Sequence, residues 1–197
     1  LFSAEPFLAG FGGQRAKVVT AIAMFYDLDD PNAFTADVAR VLDPEGLLII
    51  EMHYLPDILL KNAFDAICHE HLEYYALGSL ERLLDRHSLE IFDVELNDIN
   101  GGSFRAYIRH RGAAVGSNRN GASGRLTKMR AYENILGLDS YAVYNDFARR
   151  VSLVRQKLLN FIAAERAQNR RIYVYGASTK GNTLLQCCGL DNRWLHA

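Results

Sequence analysis

The sequence has too few cysteines for a disulfide framework: three in all, two of them adjacent at Cys187 and Cys188. That excludes a stapled secreted scaffold and predicts a reducing, cytoplasmic setting. Net charge is also nearly absent, at −1, so no large positive field is available to hold nucleic acid or an anionic membrane. Any nucleotide must then be bound by local geometry. No apolar run approaches the ~20 residues that span a bilayer, and the first residues lack the charged-then-apolar pattern of a secretory signal. Internal repeats and low-complexity tracts are missing as well. What remains, 49% hydrophobic and 23% charged residues, is the composition of an ordinary globular protein. The length of 197 residues suits one domain, or one domain plus part of another. Leu1 is not an initiator methionine, and the chain stops soon after a strand–loop–helix unit begins, so it reads as an internal fragment of something longer.

Along the chain, residues 1–16 are mixed, with a Gly-rich break at 10–13. Lys17 to Met24 is a short apolar run with β-branched residues, which predicts a buried strand. Asp30-Pro31 starts a helix, because proline suits the first helical position, and Phe34, Val38, Val41 and Leu42 recur at helical spacing. Asp43 to Gly46 ends that helix, and Leu47 to Met52 is a second buried strand. This order points to a parallel α/β sheet. A loop is expected over 53–76. Gly78 to His87 then predicts a helix with Leu80, Leu83 and Leu84 on one side. Leu89–Leu96 and Ser103–His110 predict two strands, joined by Asn97 to Gly102 with two glycines free to take positive φ. A parallel sheet closed by such an antiparallel hairpin is how the class I methyltransferase sheet ends; taken alone, this is a likeness of fold.

Gly112 to Gly124, rich in Gly, Ala, Ser and Asn, predicts a linker or loop. From Thr127 to Asn169 the pattern is helical. Tyr141, Tyr144, Phe147, Val151, Val154, Leu158 and Phe161 form an apolar stripe that core packing explains. Arg171 to Tyr175 predicts a strand, Gly176 to Gly181 a tight turn, and Asn182 to Cys188 the start of a helix. The expected organisation is therefore 1–111, the linker 112–126, and 127–197.

The densest chemistry lies in Phe64-Asp-Ala-Ile-Cys-His-Glu-His-Leu-Glu-Tyr-Tyr75. Cys68, His69, Glu70 and His71 stand side by side, with Tyr74 and Tyr75 three residues on. Histidine has the side-chain pKa nearest neutrality, so His71 is a candidate general base. Glu70 is placed to orient it, raise its pKa or hold a substrate hydroxyl. A polar loop with incidental histidines is the competing reading. Metal binding by Cys68, His69 and His71 is disfavoured, because His-Glu-His lacks the four-residue spacing of the zinc-protease helix and no second Cys or His pair stands at zinc-site spacing. A Cys68–His69 nucleophile pair is disfavoured too, since adjacent residues of an extended chain point apart. His53, His87, His110 and His196 stand singly and are expected to be surface or capping residues.

Two further motifs bear on ligands. The Gly176–Gly181 turn between a strand and a helix aims N–H groups at an anion, and Lys180 adds a charge. It is neither a Walker A loop nor a complete dinucleotide fingerprint, and a βα turn that binds nothing is equally consistent with it. Around the hairpin turn, Asn100, Ser103 and Arg105 are groups suited to hydroxyls or phosphates, with a plain turn as the alternative.

Four segments, in order, resemble the S-adenosylmethionine-dependent C-methyltransferases of deoxysugar biosynthesis. They are Ala23-Met-Phe-Tyr-Asp-Leu-Asp-Asp-Pro31, the Phe64–Tyr75 stretch, Asn97-Asp-Ile-Asn-Gly-Gly-Ser-Phe104 and Tyr175-Gly-Ala-Ser-Thr-Lys-Gly-Asn-Thr-Leu-Leu185. The resemblance implies an α/β fold: the second half of a class I, Rossmann-like methyltransferase sheet closed by an antiparallel hairpin, then a helical segment and the first βα unit of a second Rossmann-like domain. It places the glycine-rich cofactor loop and a zinc domain upstream of Leu1, so the fragment alone is expected to bind the cofactor poorly and no metal is expected within it.

The implied reaction is methylation of carbon next to the ketone of a nucleotide-linked keto-sugar. The resemblance makes His71 the base and Glu70 its neighbour on substrate. Tyr74 and Tyr75 become walls, and Met24 and Phe25 contacts to the methionine end of S-adenosylmethionine. Lys180 and the hairpin groups are implied to hold substrate phosphates. Cys68 and Asp27 stand where characterised members carry tyrosine and histidine, both beside the substrate. A monomer acting on a small molecule is expected, with no nucleic acid and no membrane. An O- or N-methyltransferase of a small metabolite, or an inactive binding domain, are the alternatives.

Overall fold

A computed structural model describes residues 2–116, 122–176 and 178–196. The chain forms two compact units: Leu1–Asp57 with Leu72–Leu136, and Ile58–His71 with Gly137–Ala197.

In the first unit, α1 (Ala4–Gly10) precedes strand β1 (Ala16–Ile22). Helix α2 (Pro31–Val41) begins as its sequence predicts. The Asp30 side chain accepts the Ala33 N–H at 2.9 Å, and Pro31 fills a position whose N–H would have no helical partner. Strand β2 (Leu42–His53) runs parallel to β1, with Val19 opposite Leu48 and Ala21 opposite Ile50. It starts earlier and ends later than the apolar run alone implies. Helix α3 (Leu55–Lys61) occupies part of the stretch expected to be loop.

Helix α4 (Leu77–Asp85) buries Leu77, Leu80, Leu83 and Leu84. Strands β3 (Leu89–Asn97) and β4 (Ser103–His110) form the hairpin, and β4 inserts beside β2, giving the order β1-β2-β4-β3 with only the first pair parallel. This is the α/β sheet closed by an antiparallel hairpin that the sequence predicts. Asn100, Gly101 and Gly102 all take positive φ in the turn (56°, 90° and 137°). Helix α5 (Ala122–Leu136) lies in this unit, where Leu126 and Met129 join the core of Leu48, Ile50, Leu80, Phe104 and Ile108. Part of the expected linker, residues 117–121, lies outside the described residues.

The second unit holds α6 (Tyr141–Ala167) and α7 (Thr179–Cys188). The helical pattern read from Thr127 to Asn169 is thus two helices, broken at Gly137 (φ 66°) and restarted by Ser140, whose hydroxyl accepts the Ala142 N–H. The apolar stripe on α6 is not a core stripe. Phe147 is buried, but Tyr141, Val154 and Phe161 are exposed. A small core instead gathers Ile162, Cys188 and Leu190, with Leu158, Ile172, Leu184 and Trp194 against it. The strand expected at Arg171–Tyr175 is reduced to one bridge, Tyr173 to His196, because a strand requires a partner along its length. At the turn before α7, Gly176 takes φ 146°, and the Ser178 hydroxyl caps the helix by accepting the Gly181 N–H at 3.1 Å. Ala177 lies outside the described residues.

Candidate active site

The cysteine–histidine stretch is a chain of short turns hung from the end of α3. Asn62 takes the left-handed conformation (φ 56°), the Ala63 N–H donates to Ile58 O at 3.0 Å, and a single 3₁₀ turn spans Phe64–Ala66. The Ala66 carbonyl then meets Nδ1 of His71 at 2.7 Å. A carbonyl only accepts, so in the neutral ring the proton is on Nδ1 and the lone pair on Nε2. His71 is half-buried, and its N–H donates to Cys68 O at 3.2 Å. Cys68 is half-buried, while His69 and Glu70 are exposed. The imidazole is thus oriented by a backbone carbonyl rather than by the neighbouring carboxylate. This geometry suits proton abstraction by Nε2.

In the first unit, β1 ends where Ala23 takes positive φ (52°) and its N–H donates to Glu51 O at 2.9 Å. Met24, half-buried, leads into a short turn over Phe25–Asp27. Phe25 is 1% exposed and meets the rings of Tyr75 and Phe34 edge-on, with centroids 5.3 and 5.8 Å away. Phe25 and Tyr75 are therefore core residues of the first unit. The Tyr75 hydroxyl donates to Glu73, and burial followed by that carboxylate pushes its pKa well above the usual phenol range. Tyr74 is half-buried and Asp27 exposed. The Tyr26 carbonyl accepts the N–H groups of Leu72 and Glu73 at 3.0 and 3.2 Å, tethering the two residues that follow His71.

Two of the hairpin groups, Ser103 and Arg105, are turned onto the protein. Ser103, 2% exposed, donates its hydroxyl proton to Ile99 O at 2.9 Å. Arg105 pairs with the buried Glu51 carboxylate at 2.7 Å through Nε and 2.6 Å through Nη2, and Asn97 donates to the same oxygen at 3.1 Å. Asn100 lies in the turn itself, and Lys180 in the first turn of α7.

Two polar residues lie where the sequence pattern does not place them. Glu51 and His53 are both buried at the carboxyl end of β2, and the His53 ring stacks on Tyr26 with centroids 5.3 Å apart and planes 11° from parallel. His53 is a core residue, not the surface or capping residue expected. A glutamate inside an otherwise apolar strand was the available signal, since a buried carboxylate demands a partner.

The second unit also contains a cavity of about 770 Å³, lined by His69, Phe161, Ile162, Tyr175, Ser178 and Asn182 among others. Among the described residues, no group of three or more His, Cys, Asp or Glu side chains is placed to hold a metal ion, and no helix is long and apolar enough to cross a membrane.

Residues 98–197 match the family described as the C-methyltransferase C-terminal domain. The chain belongs to the C-methyltransferase family. C-methyltransferase NovU of Streptomyces niveus is similar to this family member, with 33% identity over 178 residues. That alignment covers 90% of this chain but 41% of NovU, so the chain spans less than half the length of this curated relative. Among solved structures, the mitomycin 7-O-methyltransferase MmcR is similar over 54% of this chain and 38% of its own, at 16% identity and a TM-score of 0.40. The magnesium protoporphyrin IX methyltransferase ChlM of Synechocystis PCC 6803, solved with bound SAH, is similar over 50% of this chain and 46% of its own, at 10% identity and a TM-score of 0.40.

Proposed function

We propose that this family member is part of an S-adenosylmethionine-dependent enzyme that methylates carbon next to the ketone of a nucleotide-linked sugar. The observation that carries the reading is the hydrogen bond from His71 Nδ1 to Ala66 O at 2.7 Å, which leaves the lone pair of a half-buried imidazole on Nε2. A C–H beside a ketone is acidic because the electron pair left behind delocalises onto the carbonyl oxygen. Nε2 takes the proton, the C–H bond breaks, and the carbon becomes the nucleophile. S-adenosylmethionine, when bound, supplies the electrophilic methyl group.

The fit of this chain to that cofactor is local. Met24 sits where the backbone leaves β1, at the carboxyl end of a parallel strand pair, which is where open α/β sheets bind ligands. Its thioether side chain suits contact with the methionine end, while Phe25 acts from the core. Glu70, Cys68 and Asp27 are read as substrate contacts, with Tyr74 as a wall. Lys180, in the first turn of a helix, suits a phosphate. In this reading residues 1–111 are the later half of the cofactor domain, 112–126 a connection and 127–197 the opening of a second domain. The three cysteines are all free thiols, which supports a reducing cytoplasm, and a monomer without nucleic acid or membrane partners completes the reading.

The test uses the full-length protein with a nucleotide-linked 4-keto sugar in deuterated buffer and no methyl donor. Label entering the carbon next to the ketone is expected, and His71→Ala should slow both exchange and methyl transfer by about 10²–10⁴-fold. Methyl transfer in His71→Ala within about twofold of wild type would remove the base assignment. Methylation at oxygen or nitrogen without carbon exchange would establish the other methyltransferase chemistry.

A further inference from the structure

Arg150, on α6, reaches the carbonyl end of α3. Its Nη2 donates to Leu59 O at 2.8 Å and its Nη1 to Leu60 O at 3.4 Å, and Nη1 also donates to the Asn62 side-chain oxygen. The last carbonyls of a helix have no partner within it, and a cation there also opposes the negative end of the helix dipole. One guanidinium thus closes the end of α3 and holds the left-handed residue that starts the turn chain. Arg150 is itself aimed: Nε donates to Asp146 at 2.8 Å, and the guanidinium lies 6.0 Å from the centroid of the buried Phe147 ring. Its side chain is 25% exposed.

From Asn62 the hydrogen bonds run on without a long gap. Phe64 N–H donates to Asn62 O at 2.8 Å, Ala66 N–H to Ala63 O at 3.1 Å, and His71 Nδ1 to Ala66 O at 2.7 Å. The carbonyl that selects the His71 tautomer is therefore set by a turn whose origin Arg150 clamps. We infer that Arg150 is a positioning residue for His71, acting through the end of α3 and the Ala66 carbonyl. The inference rests on the reading of His71 as base. Lysine replaces it only in part, because one ammonium lacks the planar fork that serves several acceptors and Asp146 at once.

The test is made in the full-length protein labelled with ¹⁵N-histidine, with His71 assigned by its loss in His71→Asn. Wild type should show the single Nδ1–H tautomer at His71, and Arg150→Gln should show a mixture. In methyl transfer to a nucleotide-linked 4-keto sugar, Arg150→Gln should lower kcat about tenfold, with KM for S-adenosylmethionine within about twofold. Arg150→Lys should recover only part of the loss. The double variant His71→Asn, Arg150→Gln should be no slower than His71→Asn, as expected when one residue works through the other. Asn62→Gly keeps the left-handed backbone and removes one clamp contact, so it carries the tautomer test if Arg150→Gln does not fold. An unchanged tautomer in the folded variant, or an Arg150→Gln loss of the same size with and without His71, overturns the inference. Wild-type rates in His71→Asn would instead overturn the base reading, and the tautomer signal would still judge Arg150.

Discussion

Glu133 accepts the phenol proton of Tyr54 at 2.9 Å, across 79 residues of sequence. The same carboxylate accepts the N–H groups of Leu77 at 2.6 Å and Gly78 at 3.0 Å, so a residue of α5 caps the start of α4. Glu133 is buried, and its charge sits at the positive end of a helix dipole. Glu133→Ala should cost about 2–4 kcal/mol, because three donors, two of them buried, lose their acceptor, and Glu133→Gln about 1–2 kcal/mol. Urea unfolding followed by circular dichroism measures both, and a full loss in Glu133→Ala with none in Glu133→Gln would show that packing rather than the carboxylate is responsible.

The same contact has a consequence at high pH. Burial, reinforced by Glu133, pushes the Tyr54 phenol well above its usual pKa, and burial with Glu73 does the same for Tyr75. A group whose pKa is raised by folding contributes stability that is fully present below its unfolded value, about 10 for tyrosine, and is lost as pH climbs towards the folded value. Stability should therefore fall above pH ~10, each phenol adding a slope of about 1.4 kcal/mol per pH unit. Tyr54→Phe and Tyr75→Phe should each flatten the fall. A series of urea midpoints at rising pH checks this, and slopes identical to wild type would contradict it.

Local signals in the sequence are legible where the chain answers to its neighbours alone. Asp30-Pro31 placed the start of α2, and Gly101-Gly102 placed the hairpin turn. Signals that depend on distant partners were not legible. Glu51 is buried because Arg105, 54 residues later, returns beside it on β4. His53 is buried because β2 runs on past the apolar stretch to the Tyr26 ring. The α6 stripe reads as core, yet helical spacing records only which residues share a face, not whether anything covers it. In the candidate site, the histidine of interest could be picked from its neighbours, but the Ala66 carbonyl that sets its tautomer is a backbone group that no side-chain pattern reveals.

The Glu51–Arg105 pair gives a third expectation. Glu51 is 4% exposed, whereas the Arg105 side chain is 37% exposed, so the burden of desolvation falls on the carboxylate. Arg105→Ala leaves that carboxylate buried, supported by the Asn97 side-chain N–H at 3.1 Å. The cost should be about 2–4 kcal/mol. Arg105→Ala combined with Glu51→Leu should recover most of it, because removing both charges also removes the unpaired one. Urea midpoints of the single and double variants decide between this and a purely steric role for Arg105.

Adjacent glycines in the hairpin turn should respond very differently to the same change. Gly101 takes φ 90° with open space where a Cβ would stand, so Gly101→Ala carries only the backbone penalty of about 1 kcal/mol. Gly102 takes φ 137°, and a Cβ there would overlap the Asp57 side chain. Its carbonyl also accepts the Tyr54 N–H at 3.2 Å, so the turn cannot move away without breaking the link to the end of β2. Gly102→Ala should therefore cost about 2–4 kcal/mol, and Asp57→Ala should relieve part of that loss by clearing the space. Thermal unfolding of the two alanine variants and of the Gly102→Ala, Asp57→Ala pair checks the order. Equal shifts for Gly101→Ala and Gly102→Ala would mean that backbone strain alone governs the turn.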